Sequence, residues 1–509
     1  MPVRARNSEV DMLTERIRNK ELLKKVVSPE AAASLLSDGM TIATAGDAKR
    51  GFPSAFFCAL AQRAKRGEVK NLTLWASSLP DELEGMLAEA GALKRRLGSH
   101  ANATLRKQIN SGKVLCNDMR AEMLSFMARS KMLGKLDFAV VDAVAITEEG
   151  FIVPSHTPID IASYVEAADK VIIEIDGALP PEIEGMYDHY LPELKPYIKE
   201  IPLYNVDQRI GTPYIPISQD KISCIVISNC EKKGAKPTAS DERSDKLAEH
   251  LVEFLKKEVK DGRLPPNLYP IEIGLGSIAD AIMKNLACRD FCNLEIFTAV
   301  VADGVIDLID AGKCRAVSSC SMLVSDVGWA KFCSDIERFK KTLIIRPLEI
   351  IDHPETFRRL RVIAMNGAIE ADIYGHINSS HIGGVCLVNG VGGSSVFASN
   401  AYVSIFTFFS TSNAGNVSAI VPMVSHVDST EHFVDVIVTE IGLADLRGLS
   451  PVERAEAIIE NCAHPDYRPL LREYFEKARK EVGGHEPHIL EEAFSFHQRL
   501  KKQKTMKFI

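Results

Sequence analysis

Two short glycine-rich stretches carry the spacing best suited to chemistry. The first, Gly274-Leu275-Gly276-Ser277-Ile278, follows an apolar run and precedes a helix-forming segment, Ile278–Leu286. A strand, Gly-x-Gly, helix junction lets backbone N–H groups approach an anion without side-chain hindrance, and the helix N-terminus adds positive potential. It lacks the third glycine of a dinucleotide fingerprint, so a plain turn competes with a ligand loop here. The second stretch, Asn389-Gly-Val-Gly-Gly393-Ser-Ser395, follows the apolar run Val385–Val388. Three glycines at a strand end are entropically expensive unless the backbone takes unusual dihedrals or passes close to a partner. A ligand loop and a tight structural turn both satisfy that demand.

Other chemistry-bearing residues form no recognisable site. The eleven cysteines contain no C-x-x-C pair and read as buried, reduced thiols. The 13 histidines make no H-E-x-x-H helix, because His485-Glu-Pro-His488 carries a proline where that helix would run. No metal site is expected.

The elements that must hold these loops are α/β in pattern. Apolar, β-branched runs recur at Met40–Ala45, Leu72–Ala76, Phe138–Ile146, Val171–Ile175, Ser223–Ser228, Tyr269–Gly274 and Leu294–Val301. They continue at Leu343–Pro347, Val362–Met365, Val385–Val388, Val417–Met423 and Phe433–Thr439. Continuous rather than alternating apolar content predicts strands covered on both faces, as in parallel sheets. Helices fall between them, with Ser28-Pro29 and Ser450-Pro451 as N-cap and first-turn signals. The fold class is therefore two open, doubly wound α/β domains. The polar stretch Asn229–Asp245 precedes a strong helix, Ser244–Val259, and places the boundary between domains 1–230 and 231–509.

Composition narrows the function classes. The 509 residues carry 61 Lys and Arg against 68 Asp and Glu, a net charge of −7. A mildly acidic chain without a basic tract is a poor nucleic-acid binder. No apolar run reaches the ~20 residues that span a bilayer. The segment Met1–Lys25 mixes arginines with Glu9, Asp11 and Glu15 and does not read as a signal or transit peptide, so a cytoplasmic location is expected.

Longer motifs carry a resemblance. Ile363-Ala-Met-Asn-Gly-Ala-Ile-Glu-Ala-Asp-Ile-Tyr-Gly375, Ser418–Met423, Val438-Thr-Glu-Ile-Gly-Leu-Ala-Asp-Leu-Arg-Gly-Leu-Ser-Pro451 and Cys462–Pro469 resemble the acetyl-CoA hydrolase/transferase family. Ala145–Gly150, Ile152–Pro154 and Asp207–Gly211 fit the same family, so the likeness covers nearly the whole chain. It implies coenzyme A, as acyl-CoA, for substrate, a small carboxylate or other acyl acceptor as partner, and a homodimer. It also implies a ping-pong reaction in which a glutamate attacks the thioester and becomes first an acyl anhydride, then a glutamyl-CoA thioester. By position, Leu275 and Gly393 match the family's oxyanion donors. Gly274, Leu275, Gly276, Ser277, Ile278, Asn389 and Gly393 match its CoA contacts. Glu440 matches an acidic residue kept near the active site, where it either supports the chemistry or caps the following turn; His464 reads as structural.

The chain departs from that pattern at the centre of the reaction. In Asn293-Leu-Glu-Ile-Phe-Thr-Ala-Val-Val-Ala-Asp-Gly304, Ala299 stands where the resemblance places the nucleophilic glutamate. Glu295, four residues back, is displaced by about 13 Å along a strand, too far to replace it. Asn413 stands at a CoA-contacting lysine position, Val396 at an aspartate, and Ser155–Asp160 at the acyl-site loop. These departures imply either a naturally diverged member or, for Ala299 alone, an engineered one. They leave open a damaged or rerouted transferase or hydrolase, an inactive acyl-CoA-binding protein, and direct attack by a second substrate. The order of the elements predicts that Ala299 faces Gly393 and the Leu275 backbone.

Overall fold

The structure, a computed structural model, describes residues 14–46, 50–100, 102–230, 232–236 and 240–507. The first 13 residues of the N-terminal stretch, Asp47–Lys49 and parts of the Asn229–Asp245 stretch (Glu231 and Pro237–Ala239) lie outside the described residues.

The chain divides into two compact units. Unit 1 comprises Met1–Pro237, Phe297–Ile309 and Ala316–Thr356; unit 2 comprises Thr238–Ile296, Asp310–Arg315 and Phe357–Ile509.

Unit 1 is built on β1 (Thr41–Ala43), β2 (Leu72–Trp75), β3 (Leu93–Leu97), β4 (Leu115–Asn117), β5 (Phe138–Ile146), β6 (Ile152–Pro154), β7 (Lys170–Asp176) and β8 (Ile222–Ser228). The strand order is β4-β3-β2-β1-β5-β7-β8, with β6 antiparallel on β5. All nine residues of β5 are buried, as a strand with parallel neighbours and helices on both faces requires. Because β1 and β5 pair in parallel while the chain runs outward from each in opposite directions, their shared end is a topological switch point. Beneath β1 and β2, Phe56 and Phe57 meet edge to face, ring centroids 5.2 Å apart, in a core with Leu60, Leu72 and Leu74.

The second half adds β9 (Ile271–Ile273), β10 (Leu294–Val301), β11 (Cys314–Met322), β12 (Leu343–Ile345), β13 (Ile363–Gly367), β14 (Val403–Thr407), β15 (Val436–Val438) and β16 (Leu443–Asp445). The chain changes unit inside β10, between Ile296 and Phe297, and inside β11, between Arg315 and Ala316. In unit 1, β11 and β12 pair in parallel through Val317↔Leu343. In unit 2, β9 has the start of β10 on one side and β13 on the other, and β14, β15 and antiparallel β16 follow outward. The β9/β13 junction repeats the switch-point geometry of unit 1.

Helix ends follow the sequence signals. Glu242–Lys260 begins at Asp241, whose carboxylate accepts the Ser244 N–H in a capping box, and it buries Leu247, Leu251, Val252 and Leu255 along one stripe. Pro451–Cys462 begins at Ser450 with Pro451 in the first turn. Among the described residues no helix is long and apolar enough to cross a membrane.

Candidate functional site

In unit 2 the first glycine loop emerges directly from β9 at the switch point. Gly276 is the N-cap of the helix Ser277–Cys288, with φ 114° and ψ −179°, a region reserved for glycine. No side chain caps that helix, so its first-turn N–H groups are free of an intrahelical acceptor and open to an anion. A Cβ added at Gly274 or Gly276 would meet no atom within 4 Å, and Leu275 is half exposed. The loop is therefore bare backbone facing open space.

The second loop ends at Gly393, N-cap of the helix Ser394–Asn400, again without a side-chain cap. Gly392 takes φ 56°, the left-handed conformation that explains one of the three glycines. Asn389 is exposed, and its amide donates to the Ser379 carbonyl at 2.9 Å, which anchors the loop start. Asn413 is exposed and left-handed at φ 50°, a conformation asparagine tolerates better than lysine.

Glu440 is held more firmly than any other candidate residue. Its Oε1 accepts from Arg243 Nη2 at 2.6 Å, Arg243 Nε at 3.1 Å and Ser410 Oγ at 2.8 Å, while Oε2 accepts the Ser410 N–H at 2.8 Å. Burial works to raise its carboxyl, yet these donors outweigh it and keep Glu440 below the ordinary carboxylate value. Such saturation describes an anionic brace between β14, β15 and the helix Glu242–Lys260.

Ala299 lies in unit 1, near the end of β10, half-buried. Its carbonyl accepts from Ser319 Oγ at 2.9 Å and Cys320 Sγ at 3.1 Å on β11. The Cys320 carbonyl in turn accepts the Ile159 N–H, which ties the 155–160 segment to the same neighbourhood. Within that segment Thr157 Oγ1 donates to the Gly51 carbonyl, and Asp160 is buried on donors from Ser77, Ser125 and Tyr164. The His156 ring packs at a tilt on Trp329, centroids 4.6 Å apart; burial, with Arg50 and Lys232 adding to it, pushes the imidazole down to about 3 and keeps it neutral. Glu295, in unit 2, is occupied by an ion pair with Arg315.

Sequence reasoning missed a buried charge cluster in unit 1. Lys232 Nζ bonds Asp176 at 2.8 Å and the Phe52 carbonyl at 2.9 Å. Burial raises Asp142 well above the usual carboxylate range while Lys232 pulls the other way. The available signal was the acids themselves: Asp142, Glu174 and Asp176 interrupt strands buried on both faces, where a charge must find a partner. The reading of the cysteines also needs correction. All eleven are free, but four are buried, two intermediate and five exposed, among them Cys58 and Cys386. They sit on strand ends and helix surfaces whose apolar neighbours, not the thiols, face inward.

Among the described residues one group, His376, Glu431 and Glu486, brings metal-capable ligand atoms within 4.8 Å of one another. His376 already bonds Glu431 at 2.7 Å and Asp372 at 3.3 Å. Burial opposes charging, but those carboxylates, with Glu486, outweigh it and raise the imidazole above its ordinary value.

Comparison with known proteins agrees with this architecture. Residues 10–227 match the acetyl-CoA hydrolase/transferase N-terminal domain and residues 328–475 its C-terminal domain. The chain is 44% identical over 495 residues to a succinyl-CoA:acetate CoA-transferase of Clostridium kluyveri, covering 97% of this chain and 92% of that one. It is 37% identical over 517 residues to an acetyl-CoA hydrolase of Saccharomyces cerevisiae, covering 98% of each. The fold is shared with RipA from Yersinia pestis at TM-score 0.71, 19% identity and coverage of 90% of this chain and 98% of that one. A 4-hydroxybutyrate CoA-transferase from Porphyromonas gingivalis shares it at TM-score 0.62, 20% identity and coverage of 89% and 98%. Bare glycine loops at a switch point, motifs spread along the whole chain and identity over nearly its full length converge: the chain belongs to the acetyl-CoA hydrolase/transferase family.

Proposed function

We propose that this family member binds the CoA thioester of a short acyl group, such as acetyl- or succinyl-CoA, and does not form the covalent glutamyl intermediate. The observation that carries the reading is Ala299: a methyl group on β10 offers no nucleophile where the family resemblance places a carboxylate. The glycine loops support retained binding, because Gly274–Ser277 and Gly393 keep their uncapped helix N-termini and bare backbone. Asn413 lacks the cation that would meet a phosphate, so affinity is reduced by about tenfold or more. His156 supports binding over hydrolysis, since an imidazole pushed down to about 3 is a weak general base at neutral pH. A homodimer and a cytoplasmic location belong to the same proposal.

The test mixes the protein with acetyl-CoA and isotope-labelled acetate or succinate, with mass spectrometry of small molecules and intact protein. Bound acyl-CoA, no protein adduct and no label exchange is the expected result. Rapid exchange, or a stoichiometric CoA adduct on the wild-type chain, overturns the reading.

A further inference from the structure

Unit 1 contains a cavity of about 270 Å³ that shares no lining residue with the glycine loops or the surroundings of Ala299. The helix Ala121–Arg129, the segment 192–201 and residues 349–355 enclose it. Its wall is mainly apolar, with Met123, Phe126, Leu194 and Ile201 contributing. At roughly 30 Å³ per water-sized atom it holds about nine non-hydrogen atoms, near the small end of ordinary ligand pockets.

Two polar side chains give the cavity a direction. Glu122 is 92% buried (8% exposed), and its Oε2 has no hydrogen-bond partner. Its other oxygen lies 3.3 Å from Arg120 Nε, and the Arg120 side chain is 47% exposed at the rim. The remaining charges are committed. Arg129 is spent on Glu166, Glu349 and the Pro192 carbonyl, Lys199 on Glu193, and Glu355 on the Ile201 N–H. A buried polar oxygen without a partner is expensive, so a native structure keeps one where something completes it.

We propose that this cavity binds a monocarboxylic acid with an apolar tail of about hexanoate to octanoate length, its tail against Met123 and Phe126 and its carboxylate between Arg120 and Glu122. Burial raises the Glu122 carboxyl, while Arg120 works to lower it. A carboxylate ligand beside Glu122 favours the protonated form of that acid, whose O–H then donates to the ligand, and Arg120 supplies the charge. The pair therefore offers one donor and one cation to an anion, whereas an ammonium head would meet Arg120 as a like charge. The apolar wall sets the preference for an alkyl tail over acetate, whose single methyl would leave most of the cavity unfilled.

The experiment is titration calorimetry of the full-length protein with acetate, hexanoate, octanoate and octylamine at pH 7. Octanoate should bind in the micromolar to low millimolar range and at least tenfold more tightly than acetate, with octylamine silent. Arg120→Ala, at the half-exposed rim, should weaken octanoate at least tenfold. Met123→Trp, which fills the cavity from a partly exposed position, should abolish binding with the thermal unfolding midpoint unchanged within a few degrees. No octanoate binding, equal binding of octylamine, or octanoate binding undiminished in both variants overturns the proposal.

Discussion

Replacing Glu440 by glutamine keeps the shape of the side chain and removes its charge. The amide oxygen can stay with Arg243 and the Ser410 hydroxyl, which supply three of the four donors. The amide nitrogen must then face the Ser410 N–H, formerly 2.8 Å from Oε2. A buried backbone donor left without an acceptor costs about 1–3 kcal/mol. Loss of the Arg243 ion pair adds at most about 1 kcal/mol, because Arg243 is 40% exposed and its partner charge is screened. Glu440→Gln should therefore destabilise unit 2 by about 1–4 kcal/mol, read as a lower urea midpoint at pH 7 with unchanged slope. The pH dependence has a definite sign. Glu440 titrates below its unfolded value of 4.5, so its stabilisation is present above that value and is lost as pH falls through the depressed folded value. Glu440→Gln should flatten this acid limb. A loss under about 0.5 kcal/mol, the scale of an ordinary surface substitution, or an unchanged acid limb would refute the brace.

Three further outcomes follow from single positions. Glu272 is buried on β9 with Oε2 unpartnered, and burial pushes its carboxyl up to about 8 although the Met365 N–H works the other way. The native state thus holds a proton that the unfolded chain has already released above pH 4.5; stability falls as pH rises from there to about 8, and Glu272→Gln should remove that decline in urea titrations. Gly276→Ala meets no atom but forces a side chain into glycine-only backbone, for a loss of about 1–3 kcal/mol, whereas Gly274→Ala should leave the unfolding midpoint unchanged; calorimetry with CoA then reports whether either loop is a ligand loop. Ala299→Glu should give no CoA adduct by intact-protein mass spectrometry, because the 155–160 segment around it also differs from the family pattern, and a full-occupancy adduct with rapid exchange would instead mean that alanine is the sole defect.

The parallel sheets and their long apolar strands were legible in the sequence. Phe138–Ile146 and Leu294–Val301 agree to the residue with β5 and β10, because a single acid in each, Asp142 and Glu295, leaves the apolar run recognisable on both sides. Among the strands that escaped, β3 and β11 did so for identifiable reasons. β3 reads Leu-Lys-Arg-Arg-Leu, and its Arg96 is fully buried only because Glu84 and the Ala76 carbonyl receive it. β11 carries Ser318 and Ser319, whose burial depends on the Val206 and Ala299 carbonyls, contributed from more than fifteen residues away. Val417–Met423 became two short pieces, Val417–Ser418 and Ile420–Val421. For the site, the glycine loops were visible as composition. The Arg243 brace on Glu440 and the Lys232–Asp176 pair were not, because sequence separations of 197 and 56 residues leave no local pattern.

The threading of unit 1 through three separate stretches of chain bears on its birth at the ribosome. The first sheet is fully synthesised at Ser228, yet β12, which bridges Tyr187 through Ile345, arrives only after roughly 120 more residues. At about 5–20 residues per second that is a wait of about 6–25 s. Throughout it Tyr187, later buried, has no strand to pair with. The nascent chain thus presents a half-finished apolar surface while unit 2's first helices are already emerging. Expressed alone, residues up to the first domain boundary would carry that surface permanently, and a clean excision of either unit as one continuous piece is ruled out by the path of the chain itself.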